Sequence, residues 1–116
     1  MDGVVWSLQE NPENAATFAR NSSGPNSPGA WPQLRALCLL ETESRIIRAV
    51  AFGDYALGEL SYAKSLIEKA PDGSLTIFDR AYYSCAFLSA WQSSGKNRHW
   101  LLRAKDNIRH EVIETF

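Results

Sequence analysis

The stretch from Pro71 to Ser84 constrains the fold of this 116-residue chain more than any other. Pro71-Asp72-Gly73 is typical of a turn, and the apolar run that follows has strand length and β-branched residues. Asp79 ends this run, and Ser84 stands where a helix N-cap is expected. The order predicts a short buried strand with a carboxylate at its C-terminal end, the edge at which open α/β sheets bind ligands. A turn or capping role for Asp79 is the alternative.

Length and composition predict one small domain. The apolar fraction of 45% is ordinary for a globular chain, and the net charge of -1 means that any DNA contact must come from local basic patches. Cys38 and Cys85 lie in separate apolar runs and are interpreted as buried free thiols of an intracellular protein. His99 and His110 do not pair with them at zinc-ligand spacing. No apolar segment approaches the ~20 residues that span a bilayer, so we expect no membrane partner.

The other elements follow from hydrophobic spacing and capping residues. In Leu57–Ala70 apolar residues recur at helical spacing, and Glu59 is among the charged residues expected to face water. The predicted elements, in chain order, are a strand in Met1–Leu8, a short helix in Pro12–Arg20, a helix in Leu57–Ala70, the strand that ends at Asp79, a helix in Ser84–Ser94 capped by Gly95, a strand in Arg98–Lys105 and a helix whose apolar stripe is Ile108, Val112 and Phe116.

In two further segments, hydrophobic spacing does not assign a single helix or strand. Within Trp31–Phe52, Leu34–Leu40 has good helix propensity but also alternates at period two, and Thr42-Glu43-Ser44 is suited to a hairpin turn. The residues alone leave a helix and a β-hairpin open. Asn21–Gly29 has too little apolar surface to offset its ordering entropy and is expected to be a mobile loop.

The motif Asp79-Arg80-Ala81-Tyr82-Tyr83-Ser84 resembles the second-aspartate motif of the Asp-Asp-Glu (DDE) transposases of bacterial insertion sequences, in their IS-four-type branch. That motif commonly has Gly where this chain has Ala81. Other matching segments follow the same order and cover essentially the whole chain: Met1–Trp6, Asn11–Asn14, Ala51-Phe52-Gly53 and His99-Trp100.

The resemblance implies a ribonuclease-H-like α/β fold, a mixed sheet flanked by helices in the order β-β-β-α-β-α-β-α. It favours the hairpin in Trp31–Phe52. It places the first strand at the sheet centre, beside the strand that carries Asp79. Because the first strand starts at Asp2 and the last helical pattern stops at Phe116, residues 1–116 are expected to form a partial catalytic domain, truncated at both ends.

The resemblance also implies a mechanism. Asp2 and Asp79 would be catalytic metal ligands for Mg²⁺ or Mn²⁺ in two-metal phosphoryl transfer. Water would cut at a transposon end, and the freed 3′-hydroxyl would attack the second strand or the target. The third acid of this branch lies in a Tyr-x₂-Arg-x₃-Glu pattern that this sequence lacks. Glu111 and Glu114 follow Asp79 on a helix, but a solvated helix face is the favoured interpretation of both.

Partners and location follow from the same resemblance. Arg80, Arg103 and Lys105 are candidates for binding DNA phosphates, with ordinary surface cations as the alternative. The expected partner is double-stranded DNA, at transposon ends and target, in the bacterial cytoplasm and nucleoid. A homodimer or a complex with intact transposase is also considered. The alternative function is a non-catalytic truncated product that binds or inhibits intact transposase. A third possibility is an unrelated α/β domain with structural aspartates.

Overall fold

In the computed structural model, residues 1–21 and 31–104 are described. The described residues include only Asn21 of the predicted loop Asn21–Gly29. They also exclude three residues considered above, Lys105, Glu111 and Glu114. The elements are β1 (Asp2–Ser7), α1 (Pro12–Thr17), β2 (Gln33–Leu40), β3 (Ile47–Asp54), α2 (Glu59–Ser65), a 3-10 turn (Ile67–Lys69), β4 (Leu75–Phe78), a second 3-10 turn (Arg80–Tyr82), α3 (Cys85–Ser93) and β5 (His99–Leu102). This mixture of strands and helices confirms the α/β class.

Strands β2 and β3 form an antiparallel hairpin, so the segment that could have been a helix is extended. Its turn falls at residues 42–44, as predicted. The Glu41 carboxylate accepts the backbone N–H groups of Glu43 at 3.2 Å and Ser44 at 2.9 Å, which holds the turn closed. Leu37 and Leu39 are buried on the face that packs against the helices.

The described strands form two sheets, β1-β2-β3 and β4-β5. Strand β1 pairs antiparallel with β2 and lies at a sheet edge, whereas β4 and β5 are parallel. The expectation of one sheet with β1 at its centre is therefore not met by the strand ladders. Within residues 1–21 and 31–104, the bond that joins the two sheets runs from the amine of Met1, just before β1, to the Ile77 carbonyl at 2.8 Å. A parallel ladder consists of evenly spaced bonds along two strands, which this bond does not form by itself.

Helix α3 begins as predicted, since the Ser84 side chain accepts the Phe87 N–H. Its Phe87 and Trp91 pack around Phe78 of β4, with ring centroids 5.5 and 4.9 Å from that of Phe78. The C-cap is Ser94 rather than the predicted Gly95. These aromatic rings form the centre of the core, and helix α2 adds Tyr62, Ala63 and, just after it, Leu66.

Strand β4 is covered on one face only, so the prediction of a fully buried strand is wrong. Thr76 and Phe78 are buried, whereas Leu75 and Ile77 are 61% and 55% exposed. Phe78 belongs to the core cluster that also contains side chains of α2 and α3, whereas the Leu75 and Ile77 face of this two-stranded sheet is uncovered in the described part of the chain. Among residues 1–21 and 31–104, no helix has the length and apolarity to cross a bilayer.

Candidate functional site

Asp79 lies directly after β4, at the strand end where the sequence predicts it. It is also the N-cap of the 3-10 turn Arg80–Tyr82, because its Oδ1 accepts the Ala81 N–H at 2.9 Å. A position at the ligand-binding end of the strand and a capping role are therefore compatible for Asp79. Its side chain is exposed, and Oδ2 has no hydrogen-bond partner within residues 1–21 and 31–104.

Asp2 is the first residue of β1 and pairs across the sheet with Cys38. Its Oδ1 accepts the N–H of Gly3 at 2.9 Å, and the side chain is exposed. One oxygen of each aspartate is thus oriented by a backbone N–H group. The second oxygen of Asp2, like that of Asp79, is not engaged by any described residue.

The fold brings the starts of these two segments together. The bond from the Met1 amine to the Ile77 carbonyl joins residues 76 positions apart, and each lies within two positions of one aspartate. Burial raises the pKa of the Tyr82 hydroxyl, and the charge of Glu59, its hydrogen bond and the charges of Asp2 and Asp79 raise it further. Tyr82 therefore lies within electrostatic range of all three carboxylates.

Glu59 is the residue at this site that sequence reasoning missed. It is the first residue of α2 and was expected to face water, but it is half-buried and its Oε2 accepts the Tyr82 O–H at 3.1 Å. An acid in the first turn of a helix is common for electrostatic reasons alone. The contact spans 23 positions, so no local pattern in the sequence indicates it.

Two of the predicted basic residues lie at the same edge of the β4-β5 sheet. Phe78 and Leu102 are in register, so Asp79 and Arg103 are the next residues of the two chain segments. Arg80 follows Asp79 in the 3-10 turn, and both arginine side chains are exposed. This edge therefore carries one aspartate and two arginines that form no ion pair with any described residue.

Mg²⁺ and Mn²⁺ prefer hard oxygen ligands, which Asp2 and Asp79 have available. Among the described residues, however, no cluster of three or more His, Cys, Asp or Glu side chains is arranged to hold a metal ion. The carboxylate donor chemistry fits a divalent cation, but the described residues do not form a metal site.

Cys38 lies opposite Asp2 in the strand register, whereas Cys85 follows the 3-10 turn that Asp79 caps. Cys38 and Cys85 are both free, as predicted, but Cys38 is half-buried and Cys85 is exposed, so the prediction of buried thiols is wrong. Cys85 Sγ donates to the Tyr83 hydroxyl at 3.9 Å. Both residues follow the 3-10 turn in the sequence, whereas the two aspartates precede it.

Comparison with known proteins identifies two curated relatives, both from Escherichia coli K12. The transposase InsG of insertion sequence element IS4 is 37% identical over 113 residues, which cover 97% of this chain and 25% of InsG. The putative transposase InsZ is 32% identical over 114 residues, which cover 98% of this chain and 38% of InsZ. No family model and no solved structure matches. Over nearly its whole length, the chain is therefore a homologue of part of the IS4-type insertion-sequence transposases, which confirms the resemblance.

Proposed function

We propose that this chain is part of the catalytic core of an insertion-sequence transposase, in which Asp2 and Asp79 bind divalent metal ions. The observation that carries the proposal is the Met1–Ile77 bond, which holds the two aspartate-bearing segments side by side. The homology to InsG and InsZ supports the reaction class. A ribonuclease-H-like sheet in a longer chain is part of the proposal.

The proposed reaction is phosphoryl transfer on double-stranded DNA. Water hydrolyses one strand at the transposon end, and the freed 3′-hydroxyl then attacks the other strand or the target. Bound Mg²⁺ or Mn²⁺ ions supply activation of the attacking oxygen and stabilisation of the leaving oxygen. Asp2 and Asp79 would hold the ions, and the N–H groups of Gly3 and Ala81 orient the two carboxylates.

Arg80 and Arg103 are proposed to bind DNA phosphates beside Asp79. The net charge of -1 supplies no general attraction to DNA, so binding depends on such local cations. Phosphate contacts fix the position of the duplex and carry no sequence information by themselves. Recognition of the transposon end is therefore assigned to other parts of a longer transposase. The bacterial nucleoid is the proposed place of action.

The test is Mn²⁺ titration followed by water proton relaxation, on the chain and on Asp2→Asn and Asp79→Asn. Each variant is expected to weaken Mn²⁺ binding strongly, because it removes one of the anionic ligands. Glu68→Gln is the matched control, since Glu68 is an exposed acid in the Ile67–Lys69 turn. Binding that survives both aspartate substitutions would remove the metal role and leave two structural aspartates.

The second candidate function is a non-catalytic chain that binds intact transposase. By strand register, Val4, Trp6, Val50 and Phe52 lie on the face of the three-stranded sheet that is opposite the helices. They are 38 to 67% exposed, and no described segment covers them. A contiguous apolar face of this kind is typical of a protein interaction site.

This second candidate is tested by mixing the chain with intact cognate transposase and measuring strand transfer and co-elution. Phe52→Ser is expected to abolish inhibition and co-elution while leaving Mn²⁺ binding unchanged. Leu57→Ser is the control, because Leu57 is also exposed, at 48%, but lies outside the strands. Equal loss in both variants would contradict a role for the sheet face.

A further inference from the structure

The carboxylate of Glu59 lies between the two segments that carry the aspartates. On one side its Oε2 accepts the Tyr82 O–H at 3.1 Å. On the other side its Cδ and Oε1 lie 3.1 Å from the position that a Cβ on Gly3 would occupy. One side chain therefore lies beside Gly3, the residue after Asp2, and accepts a hydrogen bond from a hydroxyl three positions after Asp79.

Each of these contacts leads directly to an aspartate. The N–H of Gly3 donates to the Asp2 carboxylate at 2.9 Å. The N–H of Tyr82 donates to the carbonyl of Asp79 at 3.1 Å, within the 3-10 turn that Asp79 caps. Glu59 is therefore connected to the Asp2 carboxylate through Gly3 and to the backbone of Asp79 through Tyr82.

The Tyr82 side of this connection is rigid. Its side chain is 2% exposed, and its ring packs on Phe78 and Phe87 with centroid separations of 5.9 and 6.5 Å. The ring position is set by the aromatic core, so the hydroxyl has little freedom to follow a displaced partner. Glu59 is in turn fixed at the first residue of α2.

We propose that Glu59 is a positioning residue that sets the separation of Asp2 and Asp79, with Tyr82 as its anchor and Gly3 as the space that admits its carboxylate. The inference rests on the proposed metal role of the two aspartates. Glu59 itself is not a ligand in this proposal, because the described residues include no cluster of three acids that could hold a metal ion, and so Glu59 does not form one with Asp2 and Asp79. Residues that orient metal ligands in this way affect metal affinity by roughly 10- to 100-fold.

The first experiment measures Mn²⁺ affinity by relaxation titration in three variants. Glu59→Ala and Tyr82→Phe are each expected to weaken binding about 10-fold, and the double variant no further, since both remove the same hydrogen bond. Glu59→Gln keeps a side-chain oxygen that accepts from Tyr82, and it is expected to retain most of the affinity. A Glu59→Gln variant as weak as Glu59→Ala would overturn the proposal and make Glu59 a ligand.

A second measurement, made without metal, tests the positioning role of Glu59 independently of metal binding by the two aspartates. The ¹H–¹⁵N amide signals of Gly3 and Ala81 report the two N–H groups that donate to Asp2 and Asp79. Tyr82→Phe is expected to shift the Gly3 signal, although the two residues are distant in sequence, whereas Glu68→Gln leaves it in place. An unmoved Gly3 signal contradicts positioning through Glu59. A shifted signal in a chain that binds no Mn²⁺ upholds the positioning and rejects the proposed metal role.

Discussion

The Asp72 carboxylate accepts a hydrogen bond from Nε of Arg98 at 3.1 Å, which ties the turn before β4 to the residue before β5. Arg98 is 7% exposed and also donates to the Ile67 carbonyl and the Ser94 hydroxyl, at 2.8 Å each. A single guanidinium thus connects the entrances of both parallel strands. Together with the bonds from Gly73 N–H to the Lys96 carbonyl and from His99 N–H to the Ser74 carbonyl, this contact joins the starts of β4 and β5.

Arg98→Ala is expected to lower the free energy of unfolding by about 3 kcal/mol, because it removes the three charge-assisted hydrogen bonds of a buried guanidinium, to Asp72, Ile67 and Ser94. Urea unfolding followed by tryptophan fluorescence measures this loss. Lys96→Ala is the control, since Lys96 is an exposed cation two positions away, and it should change stability by less than about 0.5 kcal/mol. Similar losses in both variants would show that the strand entrances do not depend on Arg98.

Gly95 is expected to tolerate no side chain for the same reason. A Cβ at this position would lie 2.0 Å from Arg98 Nε and 2.4 Å from Asp72 Oδ1. Gly95→Ala should therefore displace the guanidinium and cost about 1–3 kcal/mol, the usual range for overpacking. Gly58→Ala is the matched control, because a Cβ there meets nothing within 4 Å. If thermal unfolding shows equal midpoints for the two variants, the close approach at Gly95 is not important for stability.

The hairpin turn should make stability depend on pH. Hydrogen bonds from the Ser44 hydroxyl, and then from the backbone of Ser44 and Glu43, lower the pKa of the Glu41 carboxyl. A carboxyl with a lowered folded-state pKa stabilises the fold above its unfolded pKa, and this stabilisation is lost as pH falls through the folded pKa. Glu41→Gln should lower the melting temperature at pH 7, and the difference from the parent should shrink below about pH 4.

Thermal unfolding at several pH values, with Glu43→Gln as the control, checks this expectation. The Glu43 side chain is exposed, and its backbone N–H is the group that contributes to the turn. A constant difference between Glu41→Gln and the parent from pH 7 to pH 3 would mean that the carboxylate charge contributes nothing to the turn.

Local signals predicted the elements that local contacts hold. Pro71-Asp72-Gly73 and Ser84 marked the ends of their elements correctly, because a turn and an N-cap depend on neighbours within a few positions. The hairpin was ambiguous, because Leu34–Leu40 suits either structure until β1 and β3 pair with β2. The side-chain environment of Glu59 was predicted wrongly, because its contact with Tyr82 joins separate elements.

Only part of the candidate site could be predicted from the sequence. The resemblance named Asp2 and Asp79, and the described structure places their segments side by side at the Met1–Ile77 bond. The expected central position of β1 did not appear in the ladders, because sheet order is set by how far strands overlap rather than by the pattern within each strand. Glu111 and Glu114 lie outside the described residues, so their assignment to a solvated helix face stays a prediction.

The basic edge beside Asp79 should be detectable in the salt dependence of DNA binding. If Arg80 and Arg103 each bind a phosphate, then each change to Ala should reduce the slope of log Kobs against log salt concentration by about 1. The double variant should reduce it by about 2, because each phosphate contact releases its own counterion.

A generic duplex is sufficient, since phosphate contacts do not depend on base sequence. Lys64→Ala, an exposed cation in the last turn of α2, is the control and should leave the slope unchanged. Equal slopes for the parent and the double variant would show that these arginines are ordinary surface cations.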